Sequence, residues 1–241
     1  MFAISFSIFA ALVVIFIIMK NLSFIKQNPK YVMIIQATFF ISIILNHFFF
    51  SYYGVSASTC GEPQFGTTML HMLPWLFFFI TLAIIKVVPS WKSPFSNTLG
   101  YGILHMPFIN IKALFLKMLK KNSSSDTIQQ IISAPSLIIN SITSENFDVM
   151  YKEMRSSIFN SGVSEDQKRQ LRNLVDLKDD IGVGVWMLLT GALATVLSHS
   201  GIARSECNNS EQYMRNQMNK SEAIVNESLK DKNKTKYTIE D

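Results

Sequence analysis

Four runs of apolar residues alternate with polar stretches along this chain. The runs cover residues 2–19, 31–50, 69–88 and 181–200. A helix needs about 20 mostly apolar residues to cross a bilayer, and each run is close to that length. The sequence therefore predicts an all-α membrane protein with four transmembrane helices, three of them within residues 1–90.

The first run is interpreted as a spanning helix and not as a removable signal peptide. Phe2–Met19 is apolar apart from two serines, with no basic stretch before it and no A-x-A-like site behind it. Signal peptides carry both features. The third run contains one charge, Lys86, one turn from its end, where a lysine stem can extend to the lipid headgroups.

Residues 91–180 are the long polar region, and they predict a small helical extramembrane region between the third and fourth spans. Residues 107–121 predict a basic amphipathic helix, with Phe108, Ile111 and Phe115 on its apolar face. Such a helix is suited to lie in an anionic membrane surface; the alternative is an ordinary helix packed on its own domain. The residues expected to contact the membrane surface are Lys112, Lys117, Lys120, Lys121, Trp91 and Tyr101.

More helices are expected in the rest of the polar region. Residues 126–143 are apolar but contain Pro135, which limits them to at most two short helices. Apolar residues at helical spacing extend from Phe147 to Ile158, and Ser164–Gln167 is a capping-box pattern for the next helix. Residues 201–241 form a polar tail that is expected to be flexible, or helical only in part.

The fourth run, residues 181–200, is the least bulky of the four. Gly184, Gly191 and Ala194 are among its small residues. Small side chains let helix backbones approach closely. This span is therefore predicted to be the central packing helix of the bundle.

Basic residues beside the spans indicate which side of the membrane each loop faces. The 20–30 loop has three basic residues and no acidic one, and the 89–180 region starts with five basic residues before any acidic one. The 51–68 loop has no lysine or arginine. Basic residues favour the cytoplasmic side. Residues 20–30 and 89–180 are thus expected inside, and residues 51–68 and the tail outside.

Both cysteines of the chain, Cys60 and Cys207, fall outside in this topology. Disulfides persist on that side of a cellular membrane, so a bond between them is a hypothesis, with two free thiols as the alternative. The N-x-S/T sequons Asn208, Asn219, Asn226 and Asn233 also fall outside, whereas Asn21 and Asn122 fall inside. The sequons agree with the topology without deciding it.

The sequence contains no motif for catalysis or cofactor binding. It lacks P-loop, dinucleotide, HExxH, CxxC and GxSxG patterns, so neither enzyme activity nor a cofactor nor a specific small-molecule substrate is expected. His47, His71 and His199 lie near the outer ends of their spans, but without paired metal-ligand spacing three separate interfacial histidines are favoured over a metal site. Asn46 and Lys86 could line an ion path, which makes a small channel or transporter subunit the alternative function.

Composition agrees with a membrane location. Apolar residues make up 49% of the chain and charged residues 16%, and the net charge of +5 is not gathered in one patch. The basic residues of the polar region are tethered to the membrane and followed by acidic ones. Lipid is therefore a better partner for them than nucleic acid.

Two motifs resemble those of a known family. The first motif, Trp91–Tyr101 (W-K-S-P-F-S-N-T-L-G-Y), directly follows the third span, and the second motif, Lys178–Gly191 (K-D-D-I-G-V-G-V-W-M-L-L-T-G), opens the fourth. Together they look like small multi-pass virion membrane proteins of the large nucleocytoplasmic DNA viruses, with the patterns W-x-x-P-F-S-N-T-x-G-Y and K-D-x-x-G-x-x-x-W-x-L-L-T-G. Leu99 and Met187 stand where aromatic residues are expected in that family.

The resemblance implies a structural or scaffold role. Proteins of this family are parts of the internal membrane beneath a viral capsid, and that membrane derives from the host endoplasmic reticulum. The expected partners are the lipid bilayer and other membrane or capsid proteins, with the chain linking the membrane to the capsid or core.

Overall fold

The computed structural model describes residues 2–55, 65–107, 109, 111–120, 126–204 and 211–234. Within these ranges the regular secondary structure is helical, apart from one isolated bridge between Leu119 and Phe159. Four helices are long and apolar enough to cross a membrane. The predicted all-α membrane protein with four spanning helices is confirmed.

The first three spans extend beyond their apolar runs, and the third is interrupted. Pro74 has no amide proton to donate within a helix, and the third span is divided into two helices at this point. The connection from the first span to the second is itself one helical turn. In chain order these helices are Phe2–Asn21, Ser23–Lys26, Pro29–Val55, Phe65–Met72 and Trp75–Val87.

The fourth span is the second half of one continuous helix, Glu165–Arg204, which is 40 residues long. It starts at the predicted capping box, where the Gln167 amide donates to Ser164 Oγ (3.2 Å) and the Ser164 amide donates to Gln167 Oε1 (2.9 Å). The sequence predicted a separate helix ahead of the fourth span. The two are continuous, because no proline between them interrupts the backbone hydrogen bonds.

Aromatic side chains fill the centre of the bundle. Phe9 is fully buried and meets Trp75 and Phe78 edge-on, with ring centroids 5.4 Å and 5.7 Å apart. Phe16 stacks on Phe39 with centroids 4.2 Å apart. Each such ring pair contributes about 0.5–1.5 kcal/mol beyond the area that it buries. The first three spans are joined by these contacts.

Small residues bring the fourth span against the first. A Cβ atom added to Gly191 would overlap the Phe9 ring, and one added to Gly184 would overlap Ile17 Cδ1. Ala194 is buried in the same core. Side chains of the first span thus pack directly on the backbone of the fourth span, as its small residues allow.

Contacts at the two ends of the bundle show which loops share a side. Lys20 at the end of the first span pairs with Asp180 of the long helix (2.5 Å), so the 20–30 loop and the 89–180 region lie at one end. At the other end Gly54 lies against Ile202, whose Cδ1 would be 3.4 Å from a Cβ at the glycine. This arrangement matches the predicted loop order. Which end is cytoplasmic stays a prediction.

The head, residues 91–180, has a hydrophobic core of its own. The long helix contributes Leu171 and Val175 to this core. The predicted pair of short helices around Pro135 and the predicted helix beginning at Phe147 are both present. The head helices that precede the long helix and follow the first motif are Ile111–Met118, Asp126–Ser133, Ser136–Ser141 and Phe147–Ser157.

The basic amphipathic helix predicted at residues 107–121 is shorter and differently placed. It covers Ile111–Met118, and Phe115 on its apolar face is fully buried, meeting Phe159 edge-on at 5.6 Å. The interpretation of this face as lying in the membrane surface is therefore corrected. The helix packs on its own domain, since the later head helices supply an apolar surface that covers it.

The polar tail contains a 24-residue helix, Glu211–Lys234, which agrees with the partly helical alternative. Its described side chains are exposed. Cys60, Cys207 and Lys121 lie outside the described residues.

A disulfide between Cys60 and Cys207 stays a prediction, and the neighbouring helix ends are compatible with it. The second span ends at Val55 and the long helix at Arg204, a few residues before each cysteine. A chain reaches about 3.3–3.6 Å per residue, which is enough to bring the two thiols together. Mass spectrometry of alkylated, non-reduced protein should recover one cross-linked peptide pair. Recovery of both cysteines as alkylated thiols would refute the bond.

Candidate functional site

Two prolines, a glycine and Ser, Asn and Thr residues at 89–101 predict a turn that does not extend a helix. This prediction is wrong, because residues 89–104 fold as consecutive helical turns. Pro89 and Pro94 occupy the first or second position of their helical turns, where the missing amide proton is not needed. The prolines therefore start helical turns instead of ending a helix. The segments are Pro89–Lys92 (3₁₀), Ser93–Phe95 (α), Ser96–Gly100 (π) and Tyr101–Leu104 (α).

The two motifs dock on each other, and their contact is called the junction below. The Trp186 indole N–H donates to the Trp91 carbonyl (2.7 Å), and the two indole rings stack with centroids 6.1 Å apart. Phe95 meets Trp186 edge-on at 5.3 Å. Trp91 remains 46% exposed, as a tryptophan at a membrane–water boundary does.

Two glycines let the backbones of the motifs touch. A Cβ atom at Gly182 would lie 2.8 Å from the Ser96 amide nitrogen and 2.9 Å from the Lys92 carbonyl oxygen. A Cβ at Gly100 would lie 2.5 Å from the Lys178 carbonyl oxygen. Backbone atoms cannot move aside as a flexible side chain does, so both positions require glycine.

A buried ion cluster lies beside these glycines. Lys92 Nζ is 2.9 Å from Asp179 Oδ2 and 2.5 Å from Glu145 Oε1, and the side chains of Lys92 and Asp179 are only 6% and 4% exposed. Asp179 also accepts hydrogen bonds from Ser96 Oγ (2.7 Å) and the Ser144 amide (2.8 Å). The cluster joins the first motif, the second motif and the segment at 144–145.

The carboxylates of the cluster stabilise the charged form of Lys92. Burial alone would lower the pKa of Lys92, but the hydrogen bonds and charges of Glu145 and Asp179 outweigh it and hold the pKa above its ordinary value. Lys92 therefore stays protonated at neutral pH. The junction therefore contains a buried positive charge that Glu145 and Asp179 stabilise.

Lys178 forms a second buried contact between the long helix and the head. Its side chain is fully buried and donates to the carbonyls of Ile142 (2.8 Å) and Ile139 (3.0 Å) and to Asn97 Oδ1 (3.3 Å). The two carbonyls lie at the end of the helix Ser136–Ser141, where a cation is favoured by the helix dipole. Lys178 thus fixes that helix to the first motif.

Ion pairs also tie the first span and its loop to the long helix. Asp180 accepts from Lys20 Nζ (2.5 Å) and Asn21 Nδ2 (2.9 Å), and Asp176 accepts from Lys26 Nζ (3.1 Å). The three consecutive charges at 178–180 therefore contact three different parts of the protein. The head and the bundle are connected through one stretch of the long helix.

A cavity of about 280 Å³ lies beneath the junction, between the four spans. Its deep part is mostly apolar, with Phe16, Phe40 and Met187 in the wall, and Gln36, one turn before Phe40, adds a polar side chain. Its mouth is polar and includes Lys86 and Glu145. Below it, the described part of the bundle is filled by the aromatic core.

The structure distributes the five described residues that were predicted to contact the membrane surface over the head. Lys117 is exposed, Lys112 is half-buried, and Lys120 Nζ donates to the carbonyls at the end of the helix Phe147–Ser157. Tyr101 stacks on His105 at 5.7 Å. Contact of these lysines with lipid stays a prediction.

The histidines that were considered as metal ligands are not brought together as one site. His47 is buried and stacks on Trp75 with centroids 3.5 Å apart, and His71 is buried beside Gly201. His199 is exposed. In the described ranges no group of three or more histidine, cysteine, aspartate or glutamate residues has a metal-binding arrangement.

Asn46 and Lys86, considered for an ion path, are also separate. Asn46 donates to the Ser5 carbonyl of the first span (3.3 Å) and does not line the cavity. Lys86 lies at its mouth. The described residues thus contain no shared polar path for these two side chains.

Sequence reasoning singled out both motifs but missed the ion cluster between them. A charge triplet directly before an apolar run was the available signal for Asp179 and Lys178. For Glu145 and Ser144 the sequence offered no signal, because their part in the cluster depends on how the head folds. Comparison with protein-family models, curated proteins and solved structures finds no match.

Proposed function

We propose that this protein is a structural membrane protein that holds its helical head in a fixed position on a bilayer. The junction carries this proposal, because its buried cluster at Lys92 and its backbone contacts at Gly100 and Gly182 join the head to the spans. These contacts would serve a scaffold that links a membrane to a protein layer beside it. The head would contact the partner protein, and the spans would retain the lipid.

The proposed location is the internal membrane of a large DNA virus particle, formed from the host endoplasmic reticulum. The resemblance of the two motifs to virion membrane proteins supports it. The same residues make the junction: Trp91, Phe95 and Gly100 from the first motif contact Trp186 and Lys178 from the second. The contact between the two motifs is a structural reason for them to occur together. The proposed partners are capsid or core proteins.

Quantitative mass spectrometry of purified particles tests the scaffold role. We expect a copy number comparable to that of the major structural proteins, and enrichment over resident endoplasmic-reticulum membrane proteins from the same preparation. Those host proteins serve as the contamination control. Absence from particles, or a level equal to the host proteins, would refute the viral scaffold.

A small channel or transporter subunit is the second candidate function. The cavity between the four spans, with charged residues at its mouth, favours it. The aromatic core beneath the cavity, in which Phe9 packs against Trp75 and Phe78, would have to open for a solute to pass. Solute flux into reconstituted vesicles, lost on Lys86→Ala and kept on Lys117→Ala, would support transport over a scaffold. We expect no flux.

A further inference from the structure

The cavity beneath the junction has two chemically different parts. Phe16, Phe40 and Leu82 from three spans give it apolar walls, and the long helix adds Met187. From Asp180 at the mouth to Met187 is seven residues of one helix, or about 10 Å of depth at 1.5 Å per residue. A ligand that fills it must be polar at one end and apolar at the other.

The charges at the mouth are paired unequally. Lys20 pairs with Asp180, whereas Lys92 is shared between Asp179 and Glu145. The buried Lys178 also interacts electrostatically with Asp179, although its ammonium donates to the carbonyls of Ile139 and Ile142. Among the described residues, Glu145 has only its share of Lys92 as an ion-pair partner. The Glu145 side chain is 49% exposed, and its carboxylate can accept from a further donor.

Lys86 is a further basic residue of the mouth. Among the described residues it has no hydrogen-bond or ion-pair partner. It lies one residue before the end of the third span, at Val87, where lysines reach the level of lipid phosphates. The mouth therefore presents one available cation and one available carboxylate.

We propose that the cavity binds a phospholipid whose headgroup carries both a phosphate and a primary amine, of the phosphatidylethanolamine type. Its phosphate pairs with Lys86 and its ammonium donates to Glu145. Part of an acyl chain lies against Phe16, Phe40 and Leu82. A primary ammonium has three donors for a carboxylate. A choline headgroup lacks these donors, and a glycerol headgroup carries no cation for Glu145. This inference does not depend on the scaffold role.

Native mass spectrometry of the full-length protein in mild detergent tests the proposal. The protein is incubated separately with phosphatidylethanolamine, phosphatidylcholine, phosphatidylglycerol and water-soluble phosphoethanolamine. We expect retention of phosphatidylethanolamine at a level about tenfold above the other lipids, with little retention of phosphoethanolamine. Equal retention of the three lipids, or phosphoethanolamine bound as well as the lipid, would overturn the proposal.

Two variants separate the headgroup contacts from general lipid adhesion. Lys86→Ala and Glu145→Gln should each reduce phosphatidylethanolamine retention about tenfold, whereas Lys117→Ala, an exposed head lysine, should leave it unchanged. Lys86 is exposed, so its replacement leaves folding intact, and helix content by circular dichroism confirms this. Undiminished retention by Lys86→Ala would refute the assignment even if Glu145→Gln lowered it through the ion cluster.

Discussion

Replacing Lys92 with methionine should lower the free energy of unfolding by about 3–5 kcal/mol. Methionine keeps the apolar stem and removes only the ammonium group. The Asp179 carboxylate, 4% exposed, would then keep the neutral donors Ser96 and Ser144 but lose its cation. An uncompensated buried charge is the costly outcome of breaking a buried ion pair.

The measurement is denaturant unfolding in detergent micelles, followed by tryptophan fluorescence, since Trp91 and Trp186 lie at the junction. Arg169→Met is the matched control, because Arg169 pairs with Asp166 where both side chains are largely exposed, and it should hardly move the transition. Adding Asp179→Asn to Lys92→Met should restore part of the loss. A normal transition for Lys92→Met would show that the cluster does not stabilise the fold.

The pH dependence of this contribution follows from the raised pKa of Lys92. A group whose pKa is higher in the folded state stabilises the fold fully below its unfolded pKa, and that stabilisation is lost as the pH rises through the folded pKa. The ordinary value for lysine here is 10.5. The difference in the free energy of unfolding between the wild type and Lys92→Met should therefore be constant through neutral pH. It should shrink only in strong alkali.

Gly100→Ala and Gly182→Ala should each destabilise the protein by about 1–3 kcal/mol or more. The new methyl group would meet the Lys178 carbonyl oxygen in the first variant and the Ser96 amide in the second, at 2.5 Å and 2.8 Å. Either clash forces the first motif away from the long helix. The Trp91–Trp186 contact should loosen at the same time.

Gly102→Ala is the control for these variants, only two residues from Gly100. A Cβ at Gly102 meets nothing within 4 Å, and alanine in place of an exposed helical glycine stabilises by about 0.5–1 kcal/mol. The midpoint temperature of thermal unfolding should therefore fall for Gly100→Ala and rise slightly for Gly102→Ala. The tryptophan fluorescence of the folded protein should change only in Gly100→Ala. Similar behaviour of the two variants would show that the close contact at Gly100 does not matter.

The spans could be predicted from sequence because the bilayer imposes a length and a composition on them. The ends of the helices were harder to predict. The first two spans continue to Asn21 and Val55, through polar residues that the apolar pattern does not include. The 40-residue helix was missed for the same reason. Hydropathy changes at Ile181, but the backbone hydrogen bonding does not.

The sequence showed the two motifs of the junction but not the contact between them. Trp91 and Gly182 belong to motifs that were recognised as patterns, but a pattern does not show that two segments touch. The apolar face that includes Phe115 was compatible with a membrane or a protein core. The difference depends on the head helices that cover it, which local periodicity does not reveal.

The continuity of Glu165–Arg204 has a mechanical consequence. At 1.5 Å per residue the 40 residues form a rod about 60 Å long, with no flexible joint where it leaves the bilayer. A force applied to the head by a neighbouring layer would pass directly into the lipid. A tilt of the head would tilt the fourth span with it. Under the proposed scaffold role, the layer that holds the head would then influence the curvature of the membrane.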